Sequence, residues 1–304
     1  MSLCIGRISY LPDDPRLRDI RLKAEEKSLH SILEIKPDNV PIFIVSQNWP
    51  EKISLPEETE LKEHAMQERL NFPPLGPAKA RNILLEKFYK SDFDYMLMAD
   101  DDISLYPYYG VNRLLYDLDK DSAKFIQEGV HCLKAVEPMY VPFKKINAQL
   151  PMEEYYLFCQ APMTNGGGLF VIVNFKKHFD KEIYFDEGLS VMSRQEREDI
   201  DFFIRLMKDK FNVLESRNMI QKNLGFGGDR STVYSGEEDI NNTANAAAQN
   251  TAIKHGIPVV NNRVQFAKVL KFYKGWLKIK RSLDWEGEMQ PTNRMVKKPK
   301  RSLI

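Results

Sequence analysis

The stretch that most constrains this chain is Tyr95-Met96-Leu97-Met98-Ala99-Asp100-Asp101-Asp102-Ile103, an apolar run that drives directly into three carboxylates. It is preceded by the polar pair Ser91-Asp92 and cut off by Pro107, so its length and boundaries predict a buried strand. Three adjacent acids repel one another in a dry core. They belong at the strand's carboxyl end, in the polar crevice where open α/β sheets bind ligands. A hard divalent cation relieves the repulsion, because Mg2+ and Mn2+ favour carboxylate and phosphate oxygens. If the chain stays extended, Asp100 and Asp102 share one face and Asp101 takes the other. The plain alternative is a solvated acidic turn or a helix N-cap, since acids are common at both.

Upstream, Gly76-Pro77-Ala78-Lys79-Ala80-Arg81-Asn82-Ile83-Leu84-Leu85, followed by Phe88, reads as a helix leading through Ser91-Asp92-Phe93-Asp94 into that strand. Here the sequence resembles the nucleotide-sugar glycosyltransferases of the GT-A fold. They carry a Gly-x-x-x-Ala-Arg-Asn-like helix and then a hydrophobic strand ending in an Asp-x-Asp metal motif. The resemblance lies in motifs and covers roughly residues 1 to 230. It implies an α/β fold with a Rossmann-like, mostly parallel central sheet flanked by helices. The catalytic domain is then expected over residues 1–262, with a donor-binding half to about 105, an acceptor half beyond it, and a basic extension over 263–304. It also implies Mn2+ or Mg2+ on Asp100 and Asp102, and a UDP-sugar donor in contact with Arg81, Asp100 and Asp101.

The chain order fits such a sheet. Residues 3–10 read as a first strand, about Leu17 to Ile35 as a helix, and Val40 to Val45 as a second strand, the βαβ rhythm of parallel pairing. In proteins of this resemblance the loops after the first two strands hold nucleobase and ribose, which nominates Tyr10, Asp14 and Gln47. Surface loops carry the same residue types. Val111 to Ile126 then reads as a helix and Leu133 to Val141 as extended chain. Gly166-Gly167-Gly168 precedes the apolar Leu169 to Val173, marking either close approach of backbone to a ligand or a turn of positive φ. The resemblance puts Gly167 beside the donor sugar.

Glu198-Asp199-Ile200-Asp201-Phe202-Phe203-Ile204-Arg205 reads as a helix with acids at its positive end, an apolar face at helical spacing, and basic residues toward its close. A polarised surface helix looks the same. The order resembles the Glu-Asp helix of GT-A enzymes, which implies Asp199 as general base of an inverting transfer and Glu198 as the acid orienting acceptor or sugar hydroxyls. Arg197 stands where those enzymes often have glycine. Further along, Gly225-Phe226-Gly227-Gly228-Asp229-Arg230 lacks the Lys-Ser/Thr of a P-loop, and the resemblance implies a phosphate contact at Arg230. It also nominates His255 as a late third metal ligand, although His before Gly256 equally suits a helix C-terminus.

Charge is balanced overall at +1 but unevenly spread: Arg263 to Ile304 holds 12 Lys and Arg against three acids. Phe266, Leu270, Phe272, Tyr273, Trp276, Leu277 and Ile279 are interleaved with these lysines, which reads as a helix docked on the body with its lysines outward. Basic residues among aromatics are also a footprint for polyanions. Cys4, Cys132 and Cys159 make an odd set without Cys-x-x-Cys spacing, so neither a disulfide scaffold nor a zinc knuckle is indicated. The first residues lack a long apolar segment, and no stretch reaches the ~18 apolar residues of a membrane span. A cytoplasmic enzyme without a transmembrane segment is the expectation. One resembling class, bacteriophage enzymes that glycosylate hydroxymethylated pyrimidines in DNA, fits a basic tail in a host cytoplasm. Its acceptor would be hydroxymethylcytosine, bound through the tail. The alternatives are a transferase building lipopolysaccharide, capsule or protein glycan at a membrane surface, and a non-catalytic nucleic-acid-binding protein.

Overall fold

A computed structural model describes residues 2–49, 66–105, 109–136, 155–160, 168–188, 198–224, 249–257, 259–260, 263–264 and 276–280. The first strand, β1 (Leu3–Tyr10), is buried along all but its last residue and runs parallel to both β2 (Ile42–Gln47) and β4 (Tyr95–Ala99). A third parallel partner, β3 (Met66–Phe72), lies outside β2. The connections are helical: α1 (Pro15–Leu33) follows β1, and α2 (Pro77–Tyr89) precedes β4. Continuous apolar runs form these inner strands because helices cover the faces of a parallel sheet and leave neither one to water.

Beyond β4 the sheet is mixed. β8 (Leu169–Val173) enters antiparallel to β4 and to β6 (Cys132–Val136), and β6 pairs parallel with the long β9 (Val213–Asn223). The chain reaches β6 through β5 (Ile103–Leu105), α3 (Tyr109–Lys120) and α4 (Ser122–Gln127). β7 (Tyr155–Gln160) pairs antiparallel with β9, and β12 (Trp276–Lys280) closes that edge. The order along the sheet is β12-β7-β9-β6-β8-β4-β1-β2-β3, with β5 joined to β9; β10 (Val259–Val260) and β11 (Arg263–Val264) form a separate hairpin. The short α5 (Phe175–Phe179) follows β8, and α6 (Glu198–Lys208) precedes β9. Thus Trp276 to Lys280 is a strand rather than the expected helix, with Ile279 buried and Leu277 half-buried. A sheet edge offers unpaired backbone groups that an alternating apolar segment can satisfy, and that pairing overrides helical spacing.

One core runs through the sheet. Phe170 of β8 meets Phe203 edge to face at 5.3 Å, and Phe202 stacks on Phe185 at 4.2 Å, fixing α6 against β8. Cys4 and Cys132 are free and buried in this core. Among the described residues no helix is long and apolar enough to cross a membrane.

Candidate active site

The carboxyl ends of β1, β2 and β4 meet the N-terminal ends of α1 and α2. β4 ends at Ala99, and the next three residues turn instead of staying extended. The acids therefore diverge, correcting the shared face expected for Asp100 and Asp102. Asp100 reaches toward α2, where Arg81 Nη2 donates to both its oxygens at 2.7 and 2.9 Å. Asp101 turns toward β1 and α1, accepting from Tyr10 N at 2.8 Å and Arg21 Nη1 at 2.9 Å. Asp102 shares that guanidinium, 3.3 Å from Arg21 Nη1. Beneath them the buried Arg7 pairs with Glu25 and donates to the Asp101 carbonyl at 3.2 Å, so the turn's backbone is held as firmly as its side chains.

Glycine at 168 lets β8 close against this turn. Its carbonyl accepts from Asp100 N at 2.8 Å, and a Cβ there would lie 2.7 Å from Ile103 Cγ1 and 3.3 Å from Asp100 Oδ2. Gly167, the donor contact expected beside it, lies outside the described residues, as does Arg230.

Arg81 joins the two acidic motifs. It projects from the second turn of α2, a helix entered through Gly76 at φ 84 with Pro77 at its first position. Its Nη2 holds Asp100, its Nη1 holds Glu198 at the start of α6, and its guanidinium lies 5.3 Å from the Phe185 ring centroid. At 3% exposure, with both terminal nitrogens engaged, Arg81 is a clamp between protein carboxylates. Next to it, Asn82 exchanges hydrogen bonds with Phe185, donating to its carbonyl at 3.0 Å and accepting from its N–H at 2.7 Å. The Ala-Arg-Asn run thus positions two other segments of the site.

Five carboxylates (Asp100, Asp101, Asp102, Glu198 and Asp199) gather here against Arg81 and Arg21, and burial together with this crowding raises Asp100, Asp102 and Glu198. Burial, opposed by Arg81 and reinforced by Asp102 and Asp101, pushes Asp100 up to about 7. Burial and Asp101 raise Asp102 against the pull of Arg21. Glu198 is raised by burial, opposed by Arg81, with Asp199 adding to the rise. Asp199 is half-buried, and its Oδ1 accepts from Ile200 N at 2.8 Å. Behind it lies Lys134 of β6, fully buried, with Nζ 4.7 Å from the Phe203 ring centroid and its Cα opposite Glu215. Burial lowers the lysine's proton affinity, while Glu215 and Asp199 oppose that fall.

The remaining expected contacts are spread along the rim. Tyr10 is exposed and touches the turn through its backbone N–H. Asp14 caps the entry to α1, its carbonyl accepting from Arg18 N at 2.9 Å. Gln47 is buried, and its Oε1 accepts from Leu75 N at 2.8 Å and Gly76 N at 3.0 Å, fixing the loop that launches α2. His255, expected as a metal ligand, is engaged at both ring nitrogens: Nε2 meets Asp201 Oδ1 at 2.7 Å and Nδ1 meets Lys208 Nζ at 2.9 Å. Asp201 faces it because Arg205 and Lys254 hold the same carboxylate, at 2.8 and 2.7 Å. This cluster pins α6 to the short helix over residues 249–255.

Among the described residues no group of three His, Cys, Asp or Glu side chains is placed to hold a metal unaided. Asp100 and Asp102 nonetheless suit a hard cation in chemistry: oxygen donors, surplus negative charge, and partial exposure of 24% and 21%. Mg2+ is typically held by one or two carboxylates plus substrate phosphates, so two acids suffice. Sequence reasoning missed Arg21, Arg7 and Lys134. A signal for Arg21 was present, since Arg18 and Arg21 occupy the first turns of α1, where the helix dipole disfavours cations unless acids face them.

No protein-family model matches the chain, and no curated protein matches it. Among solved structures, the mannosyltransferase PcManGT from Pyrobaculum calidifontis, in complex with GDP-Man and Mn2+, is similar with a TM-score of 0.52 at 10% identity, over 82% of this chain and 64% of that one. S. aureus TarS 1-349 in complex with UDP-GlcNAc is similar with a TM-score of 0.46 at 15% identity, over 81% of this chain and 65% of that one. GalNAc-T7 with UDP, GalNAc and Mn2+ gives 0.44 at 13% identity, over 72% and 43%. The chain spans less than two thirds of the length of each. The mannosyltransferase likeness shows the fold, a mixed α/β sheet of the GT-A type.

Proposed function

We propose that this chain transfers a sugar from a nucleoside diphosphate donor, a UDP-sugar in the first instance, to a hydroxyl acceptor, with Mn2+ or Mg2+ at Asp102 and Asp100. The observation that carries the reading is the clamp of Arg81 on Asp100 and Glu198, at the carboxyl end of β4, where α/β folds bind ligands. It unites the ends of two motifs that the sequence alone left separate. Asp102 and Asp100 would hold a divalent ion there, and when bound it would supply charge neutralisation for the diphosphate and for the negative charge that develops as the glycosidic bond breaks. Asp199, beside the clamp, takes the proton of the acceptor hydroxyl as its oxygen bonds the anomeric carbon and the nucleoside diphosphate leaves with the bonding electrons. Glu198, held by Arg81, orients the substrate's hydroxyls. Tyr10, Asp14 and the loop fixed by Gln47 form the rim over the nucleoside.

The test is a mass-spectrometric transfer assay with Mn2+, a panel of UDP- and GDP-sugars, and several acceptors, among them duplex DNA with and without 5-hydroxymethylcytosine. The DNA arm examines the polyanion reading of the basic stretch, whose described parts are Arg263–Val264 and the edge strand Trp276–Lys280. Metal-dependent release of nucleoside diphosphate from one donor is expected. Asp102→Ala should abolish it, and Asp199→Asn should slow transfer by about 10²- to 10⁴-fold. Turnover of no donor, with Asp102→Ala indistinguishable from the native chain, would sink the reading.

A further inference from the structure

Three arginines touch the acidic turn, and they differ in freedom. Arg7 is fully buried on Glu25, Ser28 and the Asp101 carbonyl; Arg81 is locked between Asp100 and Glu198. Arg21 alone of the three has appreciable side-chain exposure, 21% against 0% and 4%. Its guanidinium bridges Asp101 and Asp102 from the second turn of α1, resting against the carboxylate assigned above to the metal. A divalent ion on Asp102 and a guanidinium at 3.3 Å from the same carboxylate repel each other. An incoming diphosphate meanwhile offers paired anionic oxygens that the planar guanidinium fork engages in bidentate fashion.

We propose that Arg21 is a placeholder cation: it neutralises Asp101 and Asp102 in the ligand-free protein and passes to the donor's diphosphate when a divalent ion takes Asp102. The inference rests on the metal-and-diphosphate reading above and adds a residue and an exchange to it. Asp101 is the pivot of the exchange. It stays anchored by Tyr10 N–H, and its backbone by Arg7, whether or not Arg21 remains. Asp102 is the carboxylate handed over. The arrangement explains why a cation stands in the early turns of α1, against the helix dipole: the acids it faces and the anion it awaits both outweigh that penalty.

The experiment measures Mn2+ binding to the full chain by the loss of the free-ion paramagnetic resonance signal, without nucleotide and with UDP or GDP. The native chain is compared with Arg21→Ala, Arg21→Lys and Asp102→Ala. Removing a competing guanidinium and a charge-assisted phosphate contact should act in opposite directions. Arg21→Ala is expected to bind Mn2+ alone about tenfold more tightly, yet to bind the nucleoside diphosphate at saturating Mn2+ about tenfold more weakly. Arg21→Lys keeps a charge but not the fork, should fall between on both counts, and keeps the test open if the alanine variant is unstable. If Arg21→Ala weakens both affinities or changes neither, while Asp102→Ala still weakens Mn2+, the exchange is wrong and the metal site stands. If the native chain binds no Mn2+ with either nucleotide, both the exchange and the reading beneath it fall.

Discussion

At the scale of single residues, the decisive feature is that Arg81 answers two carboxylates at once. Removing it leaves Asp100 and Glu198 crowded and unpaired, and breaking a buried ion pair costs about 3–5 kcal/mol. Arg81→Met should therefore lower the urea midpoint by that equivalent with an unchanged slope. Adding Glu198→Gln should return part of the loss, since one orphaned charge is then gone. A midpoint shift within the scatter of surface variants would contradict the clamp. Of these residues, the sequence showed the acids and even Arg81, but not their pairing. An arginine in a helix after glycine and proline reads as a surface or ligand contact. Only the fold brings it to Glu198, and Arg21 was not legible because a basic residue early in a charged helix reads as a solvent-facing side chain.

At the scale of elements, Asp94 at the entry to β4 is a joint. Its Oδ1 meets Lys177 at 2.8 Å and His178 at 2.7 Å on α5, and its Oδ2 accepts from Ser122 at 2.6 Å in α4. Burial would raise its proton affinity, but the hydrogen bonds from Lys177, Ser122, His178 and Ser2 outweigh it and hold Asp94 at about 2, against an ordinary 3.8. Between these values the unfolded chain carries a proton at this position that the folded chain does not. The joint's contribution, about 2 kcal/mol, is therefore complete above about pH 4 and lost as pH falls toward 2. Denaturation of Asp94→Asn beside the native chain, from pH 7 down to 2, should show a constant gap that closes in that acid window. A gap unchanged down to pH 2 would refute the assignment. The elements most legible beforehand were β1, β2, β4 and α6, whose apolar runs and spacing match the structure within a few residues. β3, reading Met66-Gln67-Glu68-Arg69-Leu70-Asn71-Phe72, was not legible, because an edge strand needs less apolar character than a central one. The expected helix over Val111 to Ile126 is two, α3 and α4, parted at Asp121.

At the scale of the whole molecule, the sheet is completed by a segment from the far end of the chain. β12 covers β7, and Ile279, only 1% exposed, is its anchor in the core. Ile279→Ala should cost about 2–5 kcal/mol by the measure of buried large-to-small replacements. Deleting residues 276–304 should in addition bare the edge of β7 and produce concentration-dependent association, seen by light scattering. A merely surface strand would tolerate the alanine within about 0.5 kcal/mol. The sequence marked this region as basic and as a docked helix, since charge and apolar spacing are visible in a sequence while the partner of an edge strand is not. The Arg81 clamp has a last consequence, one of timing. Its two partners differ in when they exist: Asp100 follows within 19 residues, but Glu198 only after 117. At about 5–20 residues per second, a ribosome leaves the arginine half-answered for roughly 5 to 20 seconds. Throughout that interval the segments of the parallel strands β1 to β4 are already synthesised, and the clamp between the two acidic motifs is completed only with the emergence of α6.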